Sequence, residues 1–394
     1  MRLQRLSEQV IVITGASSGI GLTTARMAAR AGASVVLTAR DDVTLRQEVE
    51  RIREQGGQAT HLAGDVADPE VLHAVARLAI QTFGRIDTWV NNAGVGIYGL
   101  AEQVSLADMR RLFDVTFWGV VHGSLAAIPR LRESGGVLIN VGSIESEIPV
   151  PFHSAYAAAK HAVKGYTNTL RLELEKEGAP IVVTLVKPAA IDTPFFDNAK
   201  NYLSGTPQPP PPAYAPEVVA RTILHCAQKP VREIVVGGAG RAFIGLTGQL
   251  PRTSDRLFEA TMFAAQTNSG PRRTDRAGTL HKPGEYNGEQ RGQWDGYVRE
   301  HSYSTALALT PTPRLVGMAL LGAAAIGALS LLSSASARHN VARLATDARE
   351  RVRGRALSSR ASARLPANVR VAPAQRATGF VEFDERLAEL PLLS

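Results

Sequence analysis

The chain has 394 residues, which is more than one average domain needs and enough for one large core with an extension. Hydrophobic residues make up 44% and charged residues 20% of the sequence, a balance that excludes disorder throughout the chain. The net charge is +8, and much of the excess lies near the C-terminus; the single cysteine, Cys226, excludes a disulfide framework and a cysteine-rich metal site. No apolar signal region precedes the first predicted strand, so we expect a cytoplasmic protein.

Short apolar segments alternate with longer helical patterns over residues 1–240. Most of these segments are rich in valine and isoleucine without polar alternation, which is typical of strands buried on both faces. The predicted strands are Val10–Thr14, Ser34–Thr38, Ala59–Ala63, Thr88–Asn91, Val137–Val141, Ile181–Val186 and Glu233–Val236. Their alternation with helices predicts an α/β fold, a doubly wound parallel sheet of about seven strands.

The first predicted strand ends in a glycine-rich turn, Thr14–Gly21, and a helix is predicted at once over Leu22–Ala31. Such a turn is tight and lets a diphosphate approach bare backbone, while the helix offers its free N–H groups to the charge. The sequence therefore predicts a dinucleotide site. Its candidate residues are Gly15, Ser17, Ser18, Gly19, Ile20 and Gly21.

The second predicted strand is followed by Arg40 and Asp41. An acid at the end of this strand would bind the adenosine ribose of NAD, whereas an arginine pairs with the 2′-phosphate of NADP. Arg40 favours NADP(H) as the cofactor, and NAD(H) remains the alternative because Asp41 follows directly.

Tyr156 and Lys160 are four residues apart in a long helical pattern, so they share one helix face. A nearby ammonium lowers the pKa of a phenol, and Tyr156 could then exchange a proton with a carbonyl or an alcohol. Ser143 follows the fifth predicted strand, at the sheet edge where ligands bind in this architecture. We expect Ser143 to hydrogen-bond the same substrate oxygen.

Together these motifs resemble the short-chain dehydrogenase/reductase family, in its single-domain Rossmann-like branch, over roughly residues 8–240. The resemblance rests on the glycine turn, Asp65-Val66, Asn91-Asn92-Ala93-Gly94, Ser143, and Tyr156 with Lys160. It implies an oxidoreductase that acts on alcohol or carbonyl groups, and a homodimer or homotetramer formed through the helix that carries Lys160.

The resemblance also implies individual roles. Asp65 and Val66 would contact the adenine, and Asn91 would steady the sheet beside the cofactor. Ser143 would orient the substrate and Tyr156 would be the acid or base. Lys160 would bind the nicotinamide ribose. The remaining cofactor contacts would come from Asn92, Ala93, Gly94, Tyr156 and, for the carboxamide, Thr193.

Two positions depart from the family pattern. Thr116 stands where the family has an asparagine that supports a proton relay to the lysine; its hydroxyl could hold a water in a different arrangement, so we keep Thr116 among the catalytic candidates. Ala189 follows Pro188 where the family has glycine, and its methyl group could displace the nicotinamide pocket.

The segment Ala189–Ala215 contains a proline run and the aromatic residues Phe195, Phe196 and Tyr202. It is either a stiff surface loop or, as we favour, a lid over the substrate cleft. Residues 241–313 are predicted to be an extended arm; within them, residues 250–305 are polar and weakly periodic, which predicts loops.

The stretch Leu315–Ala337 carries no charged residue and is long enough to span a bilayer. We favour membrane contact of this segment, within residues 314–337, over a helix buried against the enzyme or a second subunit. The arginine-rich tail, residues 338–394, would also prefer the cytoplasmic side, which favours a shallow insertion with residues 315–357 at the cytoplasmic face. A protein or nucleic-acid partner for the tail is the alternative, although the sequence has no base-reading motif.

The sequence leaves two functions open. The first is an oxidoreductase that takes a small carbonyl or alcohol, with a lipophilic substrate favoured by the aromatic lid. The second is a cofactor-binding, membrane-associated scaffold or sensor with little catalysis, which Thr116 and the long tail favour.

Overall fold

The computed structural model describes residues 3–268, 278–284 and 287–310, which fall within one compact unit. Seven parallel strands form one sheet in the order β7-β6-β5-β4-β1-β2-β3. The strands are β1 Val10–Thr14, β2 Ser34–Ala39, β3 Gln58–Ala63, β4 Thr88–Asn91, β5 Gly136–Val141, β6 Ile181–Pro188 and β7 Glu233–Val236. The predicted doubly wound parallel sheet is confirmed. The strand order reverses at β1, which pairs with both β2 and β4, so a crevice opens at their carboxyl ends.

Helices cover both faces of the sheet. The apolar sides of α1, α2 and α7 pack on one face, and those of α3 to α6 pack on the other. The helices are α1 Gly19–Arg30, α2 Asp42–Glu54, α3 Pro69–Phe83, α4 Leu106–Phe113, α5 Gly119–Ser134, α6 Ser154–Lys176, α7 Pro216–Gln228, α8 Gly238–Gln249, α9 Pro251–Ala265 and α10 Tyr303–Leu309. Because both faces are covered, the strands need no polar side, which explains their valine-rich and isoleucine-rich composition.

Shorter elements decorate this core. A π-helical turn, Asp114–Trp118, joins α4 to α5, and single 3₁₀ turns form at Leu6–Glu8 and Ile144–Ser146. Two-residue strands pair Ile97–Tyr98 with Lys200–Asn201, Thr206–Pro207 with Thr267–Asn268, and Ala213–Tyr214 with Val298–Arg299. Two of these pairs tie the segment after β6 to chain that lies beyond residue 266.

The prediction of loops over residues 250–305 is wrong for Pro251–Ala265, which forms helix α9. Phe258 and Met262, four residues apart, are buried against Ile148 in a small apolar cluster. This apolar stripe is narrow and the rest of the helix surface is polar, so the overall composition masked the helical period.

The predicted membrane segment and basic tail, residues 314–337 and 338–394, lie outside the described residues. Within the described residues, the continuous helical stretch Leu106–Ser134 is long and apolar enough to cross a membrane, with a mean hydropathy of 1.2. Its most apolar window is 56% buried inside the protein, and Leu112 and Leu131 are fully buried. This stretch therefore packs against the sheet as part of the protein core.

A buried polar network crosses the middle of the sheet. The Asn91 amide oxygen accepts from the indole nitrogen of Trp89 at 2.8 Å, and its amide nitrogen donates to Asn140 at 2.9 Å. Asn140 in turn donates to Thr167 on α6 at 2.9 Å. Because every link is satisfied, the network fixes β4, β5 and α6 in one register without the cost of a lone buried polar group.

This network leaves no room at Gly123 on α5. A Cβ there would lie 2.0 Å from the amide oxygen of Asn91 and 3.0 Å from the indole nitrogen of Trp89. We expect Gly123→Ala to lower the free energy of unfolding by about 1–3 kcal/mol, the usual cost of overpacking. The control is Gly165→Ala on α6, where a Cβ would meet nothing within 4 Å; it should leave stability equal or higher. Urea unfolding of both variants measures the difference, and equal stabilities would contradict the assignment.

Candidate active site

Three positions of the glycine turn after β1 require glycine. Gly15 has a φ of +65°, and a Cβ on Gly21 would lie 2.2 Å from the carbonyl oxygen of Gly15. Gly19 also has a positive φ, and a Cβ there would press on Thr193. The turn therefore brings backbone without side chains to the start of α1, which is the arrangement that a diphosphate needs, although the Gly19 N–H itself donates to the carbonyl of Glu289 at 2.9 Å.

The end of β4 is tied to this turn through Thr14. Its hydroxyl accepts the main-chain N–H groups of Asn92 and Ala93, at 2.9 and 3.0 Å. The side-chain amide of Asn92 donates back to the carbonyls of Thr14 and Gly15, at 2.9 and 3.3 Å. Thr14 was not among the predicted site residues, although it is the first residue of the glycine turn.

Arg40 lies at the carboxyl end of the sheet, beside the glycine turn. Its guanidinium donates to the carbonyl of Leu280 at 3.3 Å and to that of Thr279. Burial lowers the pKa of Arg40, and the nearby Asp65 opposes that shift. Asp65 itself forms an ion pair with Arg111, a residue that the sequence did not single out.

Ser143, Tyr156 and Lys160 converge where β5 and α6 meet. All three side chains are largely buried, Lys160 to 3% exposure. The Lys160 ammonium donates to the carbonyl of Val141 at 2.8 Å and lies 5.6 Å from the ring centroid of Tyr156. The predicted constellation is thus brought together as one group.

The expected lowering of the tyrosine pKa by the ammonium is wrong for this environment. Burial raises the pKa of Tyr156, the Glu145 carboxylate raises it further, and a hydrogen bond with Ser143 only partly offsets them. Burial also lowers the pKa of Lys160 to about 8, with Glu145 acting in the opposite direction. The phenol therefore keeps its proton at neutral pH.

A buried pair, Glu145 and His153, lies beside this group and was missed. The Nδ1 atom of His153 is 3.0 Å from a carboxylate oxygen of Glu145, and its ring stacks edge-on against Tyr98 at 4.1 Å between centroids. The other ring nitrogen, Nε2, is buried without a hydrogen-bond partner among the described residues. Each residue could be located in a loop from the sequence, but their pairing depends on how the loop folds back.

Thr116 lies in the π-helical turn, fully buried. Its hydroxyl accepts from the N–H of Val95 at 3.3 Å. A Cβ on Gly94 would lie 3.9 Å from both the Thr116 hydroxyl and the Lys160 ammonium, so these groups flank the same glycine. Ala189 points its methyl group toward Gly237 and Gly240, so the extra carbon packs against the start of α8.

One continuous cavity joins these parts. It is lined by fifteen of the predicted site residues, namely Gly15, Ser17, Ser18, Gly19, Ile20, Arg40, Asp65, Val66, Asn92, Ala93, Gly94, Ser143, Tyr156, Lys160 and Thr193. Two predicted site residues, Gly21 and Thr116, do not line the cavity. Gly21 packs against the Gly15 carbonyl within the turn, and the Thr116 hydroxyl accepts from the N–H of Val95.

Much of the cavity wall beside Tyr156 is apolar, although Glu145, His153 and Gln266 line the cavity as well. Phe195, Phe196 and the prolines 210–212 of the proposed lid line it, together with Ile148, Val150, Phe243 and Met262. The Phe195 ring lies 5.3 Å from that of Tyr156. Tyr202, the third aromatic residue of the proposed lid, instead donates to Asp108 at 2.5 Å and is not part of the cavity wall.

Comparison with known proteins agrees with this geometry. The family described as short chain dehydrogenase matches residues 9–203. An uncharacterized oxidoreductase of Bacillus subtilis (strain 168) is 42% identical over 314 residues, which is 79% of this chain and 88% of that protein. Among solved structures, a short chain dehydrogenase/reductase from Burkholderia phymatum in complex with NAD is 25% identical, with a TM-score of 0.59 over 64% of this chain and 96% of that chain. An alcohol dehydrogenase from Thermococcus sibiricus complexed with 5-hydroxy-NADP is 26% identical, with a TM-score of 0.51 over 58% and 95%.

The charge of Glu145 should control the titration of Lys160. In Glu145→Gln the favourable interaction with the ammonium is lost while burial remains, so we expect the pKa of Lys160 to fall below about 8. The lysine ¹³Cε chemical shift, followed against pH and assigned with Lys160→Met, measures this. The control is Glu147→Gln, whose carboxylate pairs with Lys164 and Lys187 instead. A rise in the Lys160 midpoint in Glu145→Gln would contradict the assignment.

Proposed function

Because the chain belongs to the short chain dehydrogenase family of oxidoreductases, we propose that it interconverts a secondary alcohol and a carbonyl with NADP(H). The observation that carries the proposal is that the Ser143–Tyr156–Lys160 group and the glycine turn line one cavity. The backbone cradle, with no space for a Cβ at Gly21, fits a dinucleotide diphosphate.

Each side chain then has a distinct role. When bound, the nicotinamide supplies or accepts the hydride. Tyr156, which keeps its proton in this buried site, donates that proton to the carbonyl oxygen in reduction, and Ser143 orients the same oxygen. Lys160, held by the Val141 carbonyl, places a positive charge beside the phenol and toward the nicotinamide ribose.

Arg40 supports NADP(H) over NAD(H). Its guanidinium lies on the cavity wall at the end of β2, where the 2′-phosphate would be bound. Asp41, the reason to consider NAD, has its carboxylate engaged with Thr44 at the start of α2 and with Asn287. The Asp41 carboxylate is thus used within the protein, whereas the Arg40 guanidinium has further N–H donors besides those that bond Leu280 and Thr279.

The apolar end of the cavity supports a lipophilic substrate. Phe195, Phe196, Phe243 and Met262 would surround the part of the substrate next to the reacting carbon. The segment Ala189–Ala215 would then act as a lid, which would exclude water from the hydride transfer. A preference for sugars over apolar ketones of equal size would argue against this substrate class.

We also propose that the chain forms a homo-oligomer and works in the cytoplasm, with residues 315–357 at the cytoplasmic face of a membrane. Apolar side chains stand exposed on the outer faces of the π-helical turn, α5 and α6, among them Trp118 at 48%, Leu125 at 53% and Leu172 at 59% exposure. Such surface would be covered in a dimer. Light scattering and vesicle flotation of the full chain check the two proposals.

Loss of the phenol should separate chemistry from binding. Tyr156→Phe removes the proton donor but keeps the ring, so we expect carbonyl reduction with NADPH to fall about 10²–10⁴-fold, with NADPH binding unchanged. Turnover and fluorescence titration on the same preparation measure both. If reduction survives the change, Tyr156 is not the proton donor. If the cellular function survives while reduction is lost, hydride chemistry is not the function, and the scaffold alternative takes its place.

Arg40→Ala tests the choice of cofactor. Charge-assisted hydrogen bonds to the 2′-phosphate would be lost, so we expect NADPH to bind about 10–100-fold more weakly and NADH to lose much less affinity. The control is Arg46→Ala, an exposed arginine on α2 that pairs with Asp42. Equal weakening of both nucleotides would remove the NADP preference, and no binding of either nucleotide to the unaltered protein would remove the enzymatic proposal.

A further inference from the structure

A segment far along the chain crosses the nucleotide side of the cavity. We call its described residues, 278–284 and 287–292, the strap. It lies beyond residue 203, where the family match ends. The N–H of Gly288 donates to the carbonyl of Ser17 at 2.8 Å, and the N–H of Gly19 donates to the carbonyl of Glu289 at 2.9 Å. The strap thus pairs main chain to main chain with the glycine turn itself.

Two strap side chains strengthen this pairing. The side-chain oxygen of Asn287 accepts a hydrogen bond from the Ser17 hydroxyl at 3.2 Å, and its amide nitrogen donates to the Asp41 carboxylate at 2.6 Å. Asn287 therefore bridges the turn and the end of β2. Gln290 donates to Thr23 on α1 and accepts from Arg26, each at 2.8 Å. These bonds would be absent if the arm were merely a solvated loop.

The other end of the strap is anchored in the core. Leu280 is fully buried, and its carbonyl accepts from both Arg40 and Arg111, at 3.3 and 3.1 Å. The N–H of Thr279 donates to the carbonyl of Asn198 at 2.7 Å, within the proposed lid. The strap therefore runs from the lid, past Arg40, to the glycine turn.

The strap borders the cavity without filling it. Thr279, Pro283, Gly284 and Asn287 line the same cavity as Ser17 and Arg40. From this we infer that the strap is a built-in wall of the nucleotide site, which encloses the adenosine end of NADP(H) and must detach for the nucleotide to leave. Asn287 and Gln290 are its positioning residues. This inference rests on the proposed nucleotide-dependent function.

Removal of the strap contacts should speed nucleotide release. We expect Asn287→Ala and Gln290→Ala to raise the dissociation rates of NADPH and NADH alike by about tenfold, since the loss of bonds to charged groups costs about that factor. Stopped-flow displacement from the full chain measures both rates. Arg40→Ala removes one anchor of the strap as well as the proposed phosphate contact, so it should speed the release of both nucleotides but of NADPH more than of NADH, and this difference separates the phosphate contact from the wall.

The matched control is Gln293→Ala, the same chemical change just after the strap. That side chain is exposed and has no hydrogen-bond partner among the described residues. Its release rates should equal those of the unaltered protein. If the unaltered protein binds nucleotide and the dissociation rates are unchanged in Asn287→Ala and Gln290→Ala, the strap is not a wall of the nucleotide site. If the unaltered protein binds neither nucleotide, the proposed function is overturned instead.

Hydrogen exchange provides a test without any variant. Bound NADPH should slow exchange at Gly19 and Gly288, whose N–H groups join the turn and the strap, because opening would then require loss of the nucleotide. Helix α7, which contributes no residue to the cavity wall, should exchange equally with and without NADPH. Slower exchange at the glycine turn with no change at Gly288 would show that the strap does not enclose the nucleotide.

Discussion

The hydroxyl of Thr14 holds the site together, because it accepts two main-chain N–H groups from the loop after β4. This contact ties the carboxyl ends of β1 and β4 to each other. The strand order reverses between these two strands. Gly21 then fits directly behind Gly15, and Gly94 comes to lie beside Lys160. The cradle for the nucleotide and the group that would perform the chemistry are therefore positioned by the same few hydrogen bonds.

The sheet could be predicted from the sequence because its strands are buried on both faces. A segment such as Val10–Thr14 is apolar at every position but its last, so no alternation had to be recognised, and all seven strands were located. The bounds differ at the ends, where β6 continues to Pro188 and α1 begins at Gly19 rather than Leu22. Ends depend on local hydrogen bonds, and these leave a weaker trace in the sequence than burial does.

The strap could not have been predicted in this way. Its contacts with the glycine turn join main-chain groups of Gly288 and Glu289, and main-chain groups are the same in every residue. The prediction failed at helix α9 for another reason. The apolar stripe of this helix depends on Phe258 and Met262, and the rest of its surface is polar. The sequence thus indicated the groups that carry chemistry, but not the polar segments that fold back over them.

The site chemistry depends on burial more than on neighbouring charge. The spacing of Tyr156 and Lys160 was predicted, but burial raises the pKa of the phenol despite the adjacent ammonium. The Glu145 carboxylate, which forms a hydrogen bond with His153, raises the pKa of Tyr156 further. The same carboxylate opposes the lowering of the pKa of Lys160 by burial. In the proposed reaction the phenol would therefore begin carbonyl reduction in the protonated form that a general acid needs.

Arg40 links this chemistry to the strap. A guanidinium has five N–H donors in a planar fork, and Arg40 directs Nη1 and Nη2 at the carbonyls of Leu280 and Thr279. These bonds hold the fork in one orientation and leave other donors free for a phosphate. Because the side chain is already ordered, less conformational entropy is lost when an anion binds. The strap would therefore enclose the nucleotide and also order the arginine that we propose distinguishes NADP from NAD.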